Sequence, residues 1–323
     1  MKAVLVKSLT GPADLVFGEH EIGKPEKGRV LIEVKFAGVN FPDILITQGK
    51  YQFQPDLPFS PGGEVAGIIK EVGEGVTEFK PGDRVVSGTT WGGFAEEALG
   101  FGFNTHHLPD EVSFKDGATI LMTHGTVIHA LKDRAELKAG ETLVVLGASG
   151  GVGTASIQIG KILGAKVIAL TSSEEKMKFC LEAGADEAYT YSLDNLKETI
   201  KSVTGKGADV IFDPIGGDFT EQAFRGIAPK GRHLMIGFAS GHVPKIPMNL
   251  PLLKSASIVG AFWGSFFRNF PEENKQNIAQ LMEWVKDGKL KPIVDEVFPL
   301  EKTAEGLKKL QDRSVMGKVL VEV

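Results

Sequence analysis

Residues 142–153, Thr-Leu-Val-Val-Leu-Gly-Ala-Ser-Gly-Gly-Val-Gly, hold the clearest chemistry in the chain. Leu143 to Leu146 read as an apolar strand, a glycine-rich turn follows, and a helical pattern opens at Val152 and runs to Leu163. Such a turn aims unpaired backbone N–H groups and the positive end of a helix at one point, which suits a diphosphate. In the spacing Gly-x-Gly-x-x-Gly the first position is Ala148 here, followed by Gly150 and Gly153. A tight turn that binds nothing is the alternative, and the strand before and helix after it speak for the ligand.

The end of the next strand decides which dinucleotide fits. In an NAD site that strand usually ends in a carboxylate, which accepts hydrogen bonds from the ribose 2′-hydroxyl. Here Lys166–Leu170 runs into Thr171-Ser172-Ser173, with Lys176 one helical turn beyond Ser172. Hydroxyls can donate to a 2′-phosphate and an ammonium can balance its charge, so NADPH is expected over NADH. Ser172 followed three residues later by Glu175 also reads as a capping box, and Glu174 and Glu175 bring opposing negative charge.

The elements around these residues suggest two domains, as 323 residues would. Residues 1–122 read as short β segments broken by Gly and Pro, among them Val30–Lys35, Val65–Ile69 and Arg84–Val86, and suggest a compact β-barrel. Residues 123–262 alternate strands (143–146, 166–170, 187–190, 209–213, 232–237, 257–262) with helices (152–163, 173–183, 194–203, 218–227). That alternation predicts a doubly wound parallel sheet of the Rossmann type. Residues 263–323, two amphipathic helices and a final strand, are too few for a core of their own, so they return to the first domain and leave a cleft between the two.

Composition excludes several classes. Apolar and charged fractions of 42% and 24% are those of an ordinary globular protein, and a net charge of −5 without a basic run argues against nucleic acid as a partner. No apolar stretch reaches the roughly 20 residues a membrane span needs. The strand pattern begins at Met1, which leaves no room for a signal peptide and makes a cytoplasmic location the expectation. Cys180 is the sole cysteine, so there is no intramolecular disulfide and no zinc site of four thiolates; it reads as a small buried apolar group. The seven histidines show no ligand spacing, and no metal site is expected.

Gly38-Val39-Asn40-Phe41-Pro42-Asp43, Gly49-Lys50-Tyr51, Pro61-Gly62-Gly63-Glu64, Pro81-Gly82-Asp83-Arg84-Val85, the 147–153 turn, Asp213-Pro214-Ile215-Gly216-Gly217 and Gly317-Lys318-Val319 form a recognisable set. With them the chain resembles, end to end, the zinc-independent NADPH:quinone oxidoreductases of the medium-chain dehydrogenase/reductase superfamily. The resemblance implies a GroES-like catalytic domain (1–122 and 263–323) beside the Rossmann domain (123–262). It places Gly62-Gly63-Glu64 where the zinc enzymes carry Gly-His-Glu, so a metal-ligating imidazole is missing and Glu64 becomes a buried structural carboxylate. It also implies a cofactor site. Ser149, Gly150, Gly151, Val152 and Gly153 would meet the diphosphate, while Ser172, Lys176 and Tyr191 would surround the 2′-phosphate and ribose. Gly237, Phe238, Ala239 and Ser240 would pass the nicotinamide ribose. Asn40 and Thr126 would lie near the carboxamide, with Phe262, Trp263 and Gly264 lining the ring.

Without a Lewis acid, hydride transfer favours acceptors that delocalise charge, namely quinones and α,β-unsaturated carbonyls. Tyr51, as a hydrogen-bond or proton donor, and Asn40 are the candidate catalytic residues, although Tyr51 also reads as an aromatic wall. Enoyl-thioester reduction and a non-enzymatic, crystallin-like NADPH-binding role are the alternative functions. Adjacent Phe266 and Phe267 cannot share one helix face, so one of them is expected to cover a pocket or a partner. The apolar edge strand 257–262 is expected to pair two copies into a homodimer.

Overall fold

The near-continuous apolar runs form a parallel sheet in the computed structural model, which describes residues Met1–Val323. Its strands are Thr142–Leu146, Lys166–Thr171, Glu187–Thr190, Ala208–Asp213, Ile227–Met235 and Ser257–Gly260. In space they lie in the order third, second, first, fourth, fifth, sixth, and every neighbouring pair is parallel. Leu143, Val144, Val145 and Leu146 are buried because helices cover both faces of a doubly wound sheet. The chain reverses its direction of winding between the first and fourth strands, which opens a crevice at their carboxyl ends.

The fifth strand begins at Ile227, five residues earlier than the apolar pattern suggests, after helix Asp218–Arg225 stops at Gly226. A register shift against the fourth strand absorbs the extra residues, with Lys230 at φ +62°.

Contacts divide the chain into two units, Met1–Gly125 with Phe266–Val323, and Thr126–Ser265. The first unit is built around the eleven-residue strand Arg29–Val39. It pairs along one side with Glu64–Val72; along the other, Arg29–Glu33 takes Glu97–Phe101 and Phe36–Val39 takes Lys318–Glu322. Register shifts at Leu31/Ile32 and Val34/Phe36 let one strand serve both partners. Ile32, Val34, Val65, Ile69, Phe94, Leu307 and Val319 fill the interior. The closing strand thereby delivers Lys318 to the inside of this unit.

Phe266 and Phe267 are both buried. Phe267 stacks on Phe103 (ring centroids 6.2 Å apart) and Phe266 on Phe270 (6.0 Å), so the two rings of helix Trp263–Asn269 each have their own cover.

Candidate functional site

The nucleotide-binding candidates lie past the carboxyl ends of the parallel strands. After Leu146 the chain turns at Gly147 (φ +57°) and enters helix Gly151–Ile162. Gly150 caps that helix without a side-chain hydrogen bond, and the first helical bond runs from the Thr154 amide to the Gly150 carbonyl (2.8 Å). The N–H groups of Gly151, Val152 and Gly153 therefore have no acceptor within the helix. A Cβ on Gly150 would meet only the Gly147 carbonyl, at 3.7 Å, so this face of the turn is open. A Cβ on Gly153 would lie 2.5 Å from the Ala148 carbonyl oxygen, so helix and turn close up there as no other residue allows. An open cradle of amides suits a diphosphate.

Past the second strand, Thr171 is buried and Ser172 exposed. The capping residue of the next helix, Glu174–Glu182, is Ser173, whose Oγ accepts from the Lys176 amide at 3.3 Å. The expected cap at Ser172 with Glu175 is thus corrected by one residue. Strand Lys166–Thr171 extends one residue further than its apolar run, which moves the helix start and leaves Ser172 outside the cap. Tyr191 follows the third strand, its amide bonded to the Thr171 carbonyl (3.1 Å) and its ring edge-on to Phe219 (5.8 Å). Gly237 to Ser240 follow the fifth strand, with Phe238 partly exposed. Phe262, half-exposed, and Trp263, buried, follow the sixth, and a Cβ on Gly264 would meet the Phe262 ring at 2.9 Å. Thr126 opens a short helical turn packed on helix Gly151–Ile162.

Asn40 and Tyr51 belong to the other unit. Asn40 Nδ2 donates to the Gly38 carbonyl (3.1 Å) and to Glu64 Oε1 (2.8 Å), and Asn40 Oδ1 accepts from Lys318 Nζ. Lys318 also donates to Glu64 Oε1 (2.8 Å), and Glu64 Oε2 takes the Met122 amide (2.8 Å), an orphan of the helical run that begins at Ile120. Glu64 and Lys318 are almost wholly buried, and a Cβ at Gly38 would fall 2.3 Å from the Glu64 carboxylate. Both Asn40 amide protons are committed, so Asn40 can offer a ligand only an acceptor. Lys318 was missed by sequence reasoning; its one signal is the closing Gly317-Lys318 pair, and its partners lie 254 and 278 residues away.

Tyr51 is half-buried against Val6, Ile46 and Phe59 and edge-on to Phe53 (6.1 Å), whose ring carries the Arg268 guanidinium at 4.6 Å. Burial, with the Asp43 charge adding, pushes its phenol above the usual value, so it remains a donor at neutral pH. Asp43, buried in the first turn of helix Phe41–Thr47, accepts from the Asn40 amide (2.8 Å). Burial pushes its carboxyl up to about 7 against the amides of Asn40 and Gly62 and the charge of Lys318. Burial also pushes His106 and His124 down to about 4.

These shifts predict a pH dependence. Asp43 holds a proton in the fold that the unfolded chain, with an ordinary value of 3.8, releases, so its contribution to stability is lost as pH rises from about 4 to about 7. The histidines, ordinarily 6.5, act in reverse and lose theirs as pH falls from 6.5 to about 4. Removing Asp43 removes the opposing pH dependence. Asp43→Asn is therefore expected to steepen the acid loss of stability by up to about 1.4 kcal/mol per pH unit. Denaturant unfolding at several pH values between 4.5 and 6.5 measures it; an unchanged or flatter slope overturns the assignment.

Cys180 is buried in helix Glu174–Glu182, and burial pushes its thiol up to about 12, so it is an inert packing group. No three His, Cys, Asp or Glu side chains are grouped so as to hold a metal ion. No helix is long and apolar enough to cross a membrane.

A Rossmann-type unit with an open glycine turn, in one chain with a β unit of this topology, is the architecture of two-domain dinucleotide-binding oxidoreductases. Comparison with known proteins agrees. The alcohol dehydrogenase GroES-like domain matches residues 26–110, and the zinc-binding dehydrogenase domain matches residues 151–286. Quinone oxidoreductase-like protein 2 of Bos taurus is 36% identical over 100% of this chain and 92% of its own length. The human quinone oxidoreductase is 36% identical over 94% of this chain and 92% of its own. The crystal structure of Escherichia coli quinone oxidoreductase complexed with NADPH superposes with a TM-score of 0.93, at 28% identity and with both chains fully covered. The chain belongs to the quinone oxidoreductase family of the medium-chain dehydrogenase/reductase superfamily.

Proposed function

We propose that this protein is an NADPH-dependent reductase of quinones or α,β-unsaturated carbonyls that works without zinc. The observation that carries the reading is the pairing of a helix N-terminus without a side-chain cap after Leu146 with a second strand that is followed by Ser172 rather than a carboxylate. The first receives a diphosphate and the second tolerates a 2′-phosphate, with Lys176 one turn away. Relatives named quinone oxidoreductases, one of them crystallised with NADPH, support it. Zinc independence is supported by Gly63 standing before Glu64 and by the engagement of Glu64 with Asn40, Lys318 and Met122.

Bound NADPH supplies a hydride. Ser149 to Gly153 would hold the diphosphate through backbone amides, Ser172, Lys176 and Tyr191 the adenosine end, and Gly237 to Ser240 the nicotinamide ribose. Within this unit Thr126 and Phe262 to Gly264 would be the groups offered to the nicotinamide, and in the other unit Asn40 Oδ1 would be available only as an acceptor. Tyr51 donates to the acceptor's carbonyl oxygen as negative charge develops there, the role Asn40 has no proton left to fill. Calorimetry with NADPH and NADH, followed by turnover of 1,4-benzoquinone, 9,10-phenanthrenequinone and crotonyl thioester, tests the reading. Expected are tighter NADPH binding and turnover of the quinones; binding without any turnover overturns the catalytic reading, and equal or tighter NADH binding overturns the cofactor.

The same unit is proposed to make a homodimer. Ser257–Gly260 ends the sheet and pairs on one side only, and Leu252 and Leu253 beside it in sequence are 77% and 75% exposed, with Val243 and Met248 similarly open. An apolar edge of this kind is covered in solution or aggregates. Leu252→Glu with Leu253→Glu is expected to yield monomers by sedimentation velocity at micromolar concentration. A wild-type monomer, or an unaffected dimer, contradicts the assignment.

A further inference from the structure

Asp213 ends the fourth strand, next to the first strand at the reversal point of the sheet. It is fully buried, and its carboxylate is saturated. Oδ1 accepts from the amides of Ile215 (2.9 Å) and Gly216 (3.0 Å); Oδ2 accepts from the Thr220 hydroxyl (2.6 Å) and lies 3.0 Å from His233 Nε2. One side chain thereby folds Pro214–Gly217 into a tight turn.

That turn supports both flanks of the crevice. On one flank, a Cβ at Gly147 would stand 2.8 Å from Ile215 Cδ1, so the phosphate turn rests against it. On the other, the loop after the fifth strand is tied to it. Ala239 donates to the Pro214 carbonyl (3.0 Å), Ser240 to the Ile215 carbonyl (2.8 Å), and Gly217 to the His242 carbonyl (3.0 Å). Ligands of open α/β sheets bind in this crevice. The catalytic and binding groups named above do not include Asp213, which would not touch the nucleotide.

We infer that Asp213 is the positioning residue of the dinucleotide crevice, holding the 147–153 turn and the 237–242 loop in their binding arrangement before the cofactor arrives. The inference rests on the NADPH reading of this unit. Without the carboxylate, two amides lose a buried acceptor and the turn has no reason to keep its shape. The binding-competent arrangement then becomes a minor one, and apparent affinity falls by its population.

Asp213→Leu is expected to raise the NADPH Kd about tenfold or more by calorimetry on the full chain. Amide exchange at 215–217 and 237–242 should quicken in the same variant without ligand. Asp213→Asn keeps an oxygen for Ile215 and Gly216 and can donate to Thr220, so it should restore the Kd to within about threefold. Ile200→Ala, a core truncation in helix Leu196–Thr204, serves as the control for lost stability and should lower Tm with Kd unchanged. Should the leucine variant not fold, Thr220→Val, which removes one bond to Oδ2, takes its place with a smaller rise expected. Wild-type binding with an unaltered Kd in the Asp213 or Thr220 variant overturns this inference alone, as does an equal loss in Ile200→Ala. Absence of binding by the wild type overturns the NADPH reading and this inference with it.

Discussion

Gly153→Val is expected to abolish NADPH binding, with a loss of at least about 100-fold, or close to 3 kcal/mol. The added carbon would fall 2.5 Å from the Ala148 carbonyl oxygen and 2.6 Å from that of Gly147. Both are backbone atoms, so no flexible side chain can yield. Helix Gly151–Ile162 must move off the turn, and the amides of Gly151 and Val152 no longer converge on one point. Overpacking of this sort costs about 1–3 kcal/mol of stability as well. Gly150→Ala separates binding from folding. Gly150 has an ordinary φ of −79° and its Cβ would meet only one atom, at 3.7 Å, so Tm should change little. The methyl group would still occupy the open face that a diphosphate must approach, and binding should fall by about tenfold or more. Calorimetry and thermal unfolding of both variants decide the matter; NADPH affinity within threefold of wild type for Gly153→Val would remove the turn from the cofactor site.

The two glycines also show why the nucleotide unit was legible in the sequence. Its strands are buried on both faces, so they appear as unbroken apolar runs such as Leu143–Leu146, and its phosphate turn is a local device whose parts lie within about ten residues of one another. Errors there were local too. Ser172 was read as the cap that Ser173 provides, because the end of a strand is set by its neighbour, Glu187–Thr190, and not by its own apolar run. The β unit was legible only in outline. Arg29–Val39 serves different partners at its two ends, and no periodicity within eleven residues reports that. Polar clusters were the least legible. Resemblance marked Glu64 as a buried carboxylate, but nothing near it in sequence names the cation that balances it. Asp213 and His233 likewise meet only because adjacent parallel strands place them diagonally, two residues apart in register.

Lys318→Met is expected to cost about 3–5 kcal/mol of stability, because removing one partner of a buried ion pair leaves the other charge uncompensated. Lys318 is 5% exposed and Glu64 1%, so water cannot replace the ammonium. Methionine matches the length of the stem while deleting the charge and both hydrogen bonds, to Glu64 Oε1 and Asn40 Oδ1. At about 2–4 °C per kcal/mol the loss amounts to a fall in Tm on the order of 10 °C. The origin of the penalty can be checked within the same cluster. Glu64→Gln neutralises the stranded carboxylate, keeps an oxygen for the Met122 amide and can donate from its Nε2 to Asn40 Oδ1 once the Asn40 amide turns over, so the double variant should regain a good part of what Lys318→Met loses. Such recovery requires that the damage come from unpaired charge and not from misfit of the new side chain. The consequence for chemistry follows from Asn40, whose side chain is aimed by Glu64 and Lys318 together. With Lys318 gone, Asn40 Oδ1 loses its donor and the amide is held through Nδ2 alone, so KM for NADPH should rise in any Lys318→Met protein that remains folded. A loss below about 1 kcal/mol, or a double variant less stable than the single one, would show that the ammonium does not stabilise the cluster.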